Sequence, residues 1–346
     1  MSTILRNIIV TAAAMGTVAT VAAAPAHAHA VDDVGSTSYR STVTRLEPAT
    51  DAIDVSVGGG DSYLRLVVQP GHTVVIHGYG GRGEDPEPYL RIDPDGSLHI
   101  NDNSPAASLN EDRYADVAVP DRAESGAEPS WQIIGAEGAY VAEWHDHRIH
   151  WMSPEPPPAV QSDPRQRRIV FDWTVPLTVD GEPVVVHGQL EWLPPVPWWV
   201  LVVAALAAGG LALVGGRRSG RASVVPVVGA SLLALAAALG ELLHAESSAN
   251  LVGIGLPVLA VLGGALALRT TDERSRFAPT LAAIVAVVVW GVSRLPQARL
   301  AVQTNLLPPT LTAVLVAAAI GLSVGALAAA LDSRPAPADA NEPSDA

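Results

Sequence analysis

The chain is predicted to be an all-β external domain, a β-sandwich, followed by an α-helical membrane domain of about five spans. Three observations predict this. Residues 31–196 carry alternating and β-branched runs separated by turn residues. From residue 197 onward, long apolar runs almost free of charge recur five times. The first 30 residues have the form of a secretory leader. Hydrophobic residues make up 49% of the chain but aromatics only 5%. The apolar content is therefore mostly Ala, Val and Leu, which suits membrane helices better than a large aromatic core.

In residues 1–30, Arg6 gives the positive start, Ile8 to Ala24 form the apolar stretch, and small residues follow. Cleavage after Ala26, Ala28 or Ala30 fits the small-x-small rule, and the sequence does not choose among them. Cleavage after Ala26 exposes His27-Ala28-His29, whose amine, amides and third-position imidazole make a square-planar Cu(II) or Ni(II) chelate. Cleavage after Ala28 puts His29 first, where amine and imidazole form a two-nitrogen copper clamp. Cleavage after Ala30 removes both histidines.

Within 31–196 the strand candidates are 42–46, 53–57, 63–69, 73–78, 89–92, 98–101, 139–145, 168–179 and 183–193. Asp180-Gly181 between the last two is a hairpin signal, and Pro94-Asp95-Gly96 is a turn. Residues 121–129 read as a linker that would divide the domain in two, and 153–166 as a Pro-rich crossing loop. The five spans are expected at 197–214, 223–243, 251–268, 278–294 and 309–331, the fourth being the shortest. A leader places 31–196 outside the plasma membrane, and five spans put the C-terminus in the cytoplasm. Arg217, Arg218 and Arg221 after span one, and Arg269, Arg274 and Arg276 after span three, agree with that orientation; Arg294 and Arg299 dissent. Trp198 and Trp199 stand where an aromatic belt belongs. The Pro- and Ala-rich acidic tail, 332–346, is expected to be disordered.

Charge narrows the function. Residues 31–196 hold 27 acids and 11 arginines, a net of −16, which repels nucleic acid. There is no cysteine, so disulfides and thiolate metal sites are excluded. All 21 basic residues are Arg, so there is no Walker lysine, and no G-x-S-x-G, H-E-x-x-H or GxGxxG pattern occurs. These absences point away from an enzyme.

The densest chemistry lies in Trp144-His145-Asp146-His147-Arg148-Ile149-His150-Trp151. In an extended strand His145 and His147 share one face. If the chain turns after Arg148, His150 joins them. Three imidazoles suit copper or zinc, and Asp146 is a further candidate ligand or an acceptor for a ring N–H. The competing reading is a polar network, with Asp146 paired to Arg148 or a histidine and Trp144 and Trp151 packed in the core. His72, His77, His99 and His187 are ordinary histidines, any one of which could complete a site. Glu241 and His244 share a helix face at the outer end of span two, a candidate ion-handling pair.

Two resemblances bear on these motifs. The run Glu87-Pro88-Tyr89-Leu90-Arg91-Ile92-Asp93-Pro94-Asp95-Gly96, then Asn103-Ser104-Pro105-Ala106 with Leu109-Asn110, then the histidine motif, resembles a set of uncharacterised actinobacterial membrane proteins. The resemblance covers most of residues 40–196. It implies a leader, a β-rich external domain bearing His-Asp-His-Arg-x-His-Trp, and C-terminal spans, and it implies no activity. The Ala-His-Ala-His-Ala end of the leader resembles the processing site of CopC-type periplasmic copper carriers.

The expectation is a multi-pass plasma-membrane protein, in contact with lipid, whose external domain holds copper or zinc in metal homeostasis or sensing. The alternative is a structural or interaction module with a protein partner at the cell surface. A transporter or channel component comes third.

Overall fold

The computed structural model describes residues 26–27, 34–80, 86–124, 126–218, 220–244 and 251–332. The rest of the leader, His29 and nearly all of the tail lie outside these residues, and of His27 only the backbone is described.

Eleven strands build the N-terminal part among the described residues: β1 (Ala26–His27), β2 (Tyr39–Glu47), β3 (Ile53–Gly58), β4 (Tyr63–Val68), β5 (Val74–His77), β6 (Pro88–Ile92), β7 (Leu98–Asn101), β8 (Trp131–Gly135), β9 (Val141–Trp144), β10 (Arg168–Val179) and β11 (Glu182–Trp192). Two short helices interrupt them, α1 (Pro105–Leu109) and α2 (Pro158–Ser162). The strands form a four-stranded sheet, β1-β9-β4-β3, and a seven-stranded sheet, β2-β11-β10-β5-β6-β7-β8. Every pairing is antiparallel except β1 with β9.

One apolar core draws on both sheets. Ile53, Leu64 and Leu66 enter it from the smaller sheet, and Val74, Ile76, Leu90, Val175 and Val186 from the larger. Along β10, Trp173, Val175, Leu177 and Val179 are buried at every second position, the period of a strand with one face inward. Each such side chain contributes about 1.5–3 kcal/mol on leaving water. The β10–β11 turn has positive φ at both Asp180 (52°) and Gly181 (85°), as a two-residue hairpin requires. The Asp180 carboxylate accepts from the backbone N–H of Thr73 at 2.9 Å, tying this turn to the start of β5.

Residues 121–129 do not divide the β region. The strand after them, β8, hydrogen-bonds to β7 before them, so the larger sheet runs across the expected boundary. Turn-rich composition marks a loop, and it cannot report that the flanking strands pair.

Five longer helices follow: α3 (Trp198–Gly216), α4 (Val225–Leu242), α5 (Leu251–Arg269), α6 (Glu273–Ala298) and α7 (Pro309–Asp332). Four are long and apolar enough to cross a membrane; in α5 the apolar helix Gly253–Arg269 is shorter. Hydropathy made 278–294 the shortest span, yet α6 is the longest helix at 26 residues. Its polar N-terminal end is helical because Asp272 caps it, accepting from the Ser275 N–H at 2.8 Å. Helices α3 and α7 touch through glycine: a Cβ on Gly321 would lie 2.1 Å from the carbonyl oxygen of Ala205, and one on Gly325 2.1 Å from that of Gly209.

The sheets and helices meet at the segment between α6 and α7. Thr37 and Val302 exchange two backbone hydrogen bonds of 2.9 Å. The Val196 N–H donates to the Arg299 carbonyl at 2.7 Å, and the Arg299 guanidinium lies 4.3 Å from the centre of the Trp198 ring. At the far end of the bundle Arg217 pairs with Asp332 at 3.0 Å, so α3 and α7 both end on the side away from the sheets.

Candidate metal centre

The histidine motif begins where β9 stops. Trp144 is the last residue of the strand and pairs with Leu64 of β4. The chain then turns through His147 and Arg148, closed by the Ile149 N–H donating to the Asp146 carbonyl at 3.2 Å. Trp144 and Ile149 are both buried in the shared core, so the turn is pinned at each end by apolar packing. The three histidines are therefore gathered by a turn, with only the start of the motif in a strand.

The turn sorts the motif into two halves. On one side is a closed polar network. The Asp146 carboxylate, fully buried, accepts from Arg148 Nε at 2.8 Å and Nη2 at 2.7 Å, from the Arg148 backbone N–H at 3.0 Å, and from Trp144 Nε1 at 2.9 Å. Arg148 spends its remaining reach on the carbonyls of Gly78 (2.9 Å) and His77 (3.1 Å) and sits over the Tyr79 ring. Burial pushes the Asp146 carboxyl up, but the charge and hydrogen bonds of Arg148 and the indole N–H bring it below the ordinary carboxylate value. Asp146 is thus not a ligand candidate: its oxygens are committed to Arg148 and Trp144, and among the described residues it accepts no imidazole N–H.

On the other side are the imidazoles. One ring nitrogen each from His145, His147 and His150 lies within 4.8 Å of the others. His145 Nδ1 donates to the Ser62 carbonyl (2.6 Å), His147 Nε2 to the Asp112 carbonyl (2.8 Å), and His150 Nδ1 to the Trp151 carbonyl (3.1 Å). A carbonyl oxygen only accepts, so each of these nitrogens carries the proton. The lone pairs are left on His145 Nε2, His147 Nδ1 and His150 Nε2. Two of them, His145 Nε2 and His150 Nε2, are 2.9 Å apart.

Lone pairs at that distance repel unless a proton or a cation lies between them. A second, charging proton is opposed, whereas the neutral Nε2–H tautomer of His150 would donate to His145 Nε2 at 2.9 Å in place of the 3.1 Å contact with the Trp151 carbonyl. Burial, followed by the charge of Arg113, pushes the His150 imidazole down to about 3, and burial likewise lowers His145. Arg113 itself is held at 2.6 Å by the buried Asp61, which offsets its charge toward a metal ion. A tetrahedral ion with bonds of about 2.0–2.1 Å would set two nitrogens about 3.3 Å apart. The pair would have to part by a few tenths of an ångström to admit one.

The supporting ring includes residues that sequence reasoning missed. Tyr79 stacks on His147 with planes 13° apart, accepts from the His147 backbone N–H at 2.9 Å, and donates to the Asn110 side-chain oxygen. Ser62 and Asp112 contribute only carbonyls, so their identity carried no signal. Ser104 and Glu87, from the two runs that precede the histidine motif in the first resemblance, bond one another. Ser104 caps α1 and donates to the buried Glu87 at 2.8 Å, while Glu87 accepts from the Gly80 N–H at 2.9 Å.

The remaining candidates sit elsewhere. His72 pairs with Asp180, His99 with Asp93, and His187 with Glu47, while His77 bonds the Pro86 carbonyl. The Trp151 indole donates to the Glu155 carbonyl at 2.7 Å. Glu241 pairs with Arg294 at 2.9 Å beside a cavity of about 40 Å3, which gives that dissenting arginine a partner.

Against protein-family models, curated proteins and solved structures, the chain finds no match. The reading of the site therefore stands on its own geometry. Three imidazoles, each in contact with a backbone carbonyl through one ring nitrogen, form a group that could hold a metal ion.

Proposed function

We propose that this is a multi-pass plasma-membrane protein whose external β-sandwich binds copper or zinc through His145, His147 and His150, in metal homeostasis or sensing. The observation that carries the reading is that all three imidazoles contact a backbone carbonyl through one ring nitrogen while one nitrogen of each ring lies within 4.8 Å of the others. Apolar helices of membrane-spanning length support the location. A topology with five spans, α5 included, a cleaved leader and a cytoplasmic C-terminus agrees with Arg217, Arg218, Arg221, Arg269, Arg274 and Arg276, against Arg294 and Arg299.

The test is titration of the full chain in detergent with Zn(II), Cu(II) and Ni(II), beside the variant His145→Ala with His147→Ala. Micromolar or tighter Zn(II) binding in the wild type, lost in the variant, is expected. Equal binding by both proteins would refute the site.

A second reading has one observation in its favour. The Asp146–Arg148–Trp144 network is a complete buried latch, which is what a structural or interaction module would use. The two readings apply to different halves of the motif, and the latch holds the turn that presents the imidazoles. A transporter role ranks third, because Glu241 already has Arg294 as its partner.

A further inference from the structure

A groove of about 340 Å3 opens beside His147 and His150, walled by Trp151, Met152 and Phe171. Two of the three histidines therefore border a space that a fourth donor can enter, and Met152 follows His150 by two residues. The chain has no cysteine and three methionines, of which Met1 and Met15 fall in the expected leader. Met152 is thus the only sulfur donor in residues 31–346, and it borders the same groove as the imidazoles.

The residues on either side of Met152 are anchored, while Met152 is exposed. The Trp151 indole is anchored on the Glu155 carbonyl at 2.7 Å, and Ser153 Oγ donates to Glu155 Oε2 at 3.0 Å and accepts from the Glu155 N–H at 3.2 Å. Met152 itself is 41% exposed. An unbranched side chain with three rotatable bonds can swing its thioether across the groove mouth. Three imidazoles leave a tetrahedral ion one position short. Imidazole alone suits Zn(II), Cu(II) and Ni(II), whereas a soft thioether favours Cu(I).

We propose that Met152 is a specificity-determining ligand, its thioether closing the His145–His147–His150 site around copper(I) from the groove. The proposal rests on the three histidines being a metal site. It involves no electron transfer: Cu(I) is bound as it arrives, and a harder ion such as Zn(II) takes water at the same position.

The test compares full-length wild type with Met152→Leu in detergent, a swap that keeps volume at an exposed position. Cu(I) affinity is read by competition with bicinchoninate and Zn(II) affinity by competition with a fluorescent chelator. Both proteins keep the same N-terminus, so copper held there cancels. The expected result is a fall of about tenfold or more in Cu(I) affinity. Zn(II) affinity stays within about twofold, and a sulfur scatterer seen by X-ray absorption of the Cu(I) wild type is lost in the variant. Equal Cu(I) affinity without a sulfur scatterer would overturn the Met152 proposal while Zn(II) binding leaves the histidine site standing. Equal losses for both metals would make Met152 a packing residue and also overturn it. No Zn(II) binding by the wild type, with no difference on His145→Ala plus His147→Ala, would remove the histidine site and this proposal with it.

Discussion

His145, His147 and His150 each give one N–H to a carbonyl, and that choice of tautomer is what turns three ordinary side chains into a donor set. Asp146 belongs to a different system. Replacing it by Asn would leave the Arg148 charge buried against a weaker partner, with an expected loss of about 3–5 kcal/mol in urea unfolding, the same with and without zinc. His147→Gln should behave in the opposite way, leaving the metal-free midpoint nearly unchanged and erasing the rise in Tm on adding zinc. The sign of the pH response follows from His150. Its folded imidazole titrates near 3, against about 6.5 unfolded, so the unfolded chain takes up the proton first. In chelator, stability should be full above about pH 6.5 and fall steadily toward pH 3; a His150→Gln variant should show a shallower slope in the same denaturation series. The sequence displayed the residue types but not these divisions. Imidazoles at i, i+2 and i+5 were visible, while the carbonyls that orient His145 and His147 come from Ser62 and Asp112, whose side chains take no part.

Among the elements, the legible ones were those whose signal is local. The Asp180-Gly181 hairpin follows from turn chemistry alone, and β10 and β11 from alternation. Strand β8 was missed because Trp131–Gly135 has no buried alternation to read: Ile133 is 71% exposed and the strand gains its place by pairing with β7. Helix α1 is one capped turn after Ser104-Pro105, too short for periodicity to register. In the bundle, hydropathy located the apolar runs but misjudged lengths, because a charged end such as Arg274 to Arg276 is helical, with Arg276 donating to the Thr270 carbonyl. What hydropathy could not give is which helices touch. The approach of α3 to α7 rests on Gly321 and Gly325, so Gly325→Val should lower the thermal midpoint of the detergent-solubilised chain by several degrees. Gly255→Ala, where a Cβ meets nothing within 4 Å, should leave it within a degree or two. Equal midpoints for the two variants would show that the α3–α7 contact does not hold the bundle.

Across the whole molecule, the candidate site and the helices share one loop. Residues 58–62 carry the Ser62 carbonyl that orients His145, and a Cβ on Gly60 of the same loop would come within 3.0 Å of Val302. Val302 in turn bonds Thr37 in both directions. A metal ion that draws on His145 therefore loads the junction with α6 and α7. Zinc should slow hydrogen exchange at the Val302 amide in the full chain, and His145→Ala should abolish the effect; unchanged exchange would separate the two parts. The acidic charge of residues 31–196, net −16, favours approach of cations to this region and falls in influence as salt rises. Metal binding by the three histidines can be read directly by ring-nitrogen NMR of the full chain, labelled with 15N-histidine, during a zinc titration. His145 Nε2, His147 Nδ1 and His150 Nε2 should shift to metal-bound positions together while the opposite nitrogens keep their protons. Shifts at other histidines only, or no shift at these three at equimolar zinc, would contradict it.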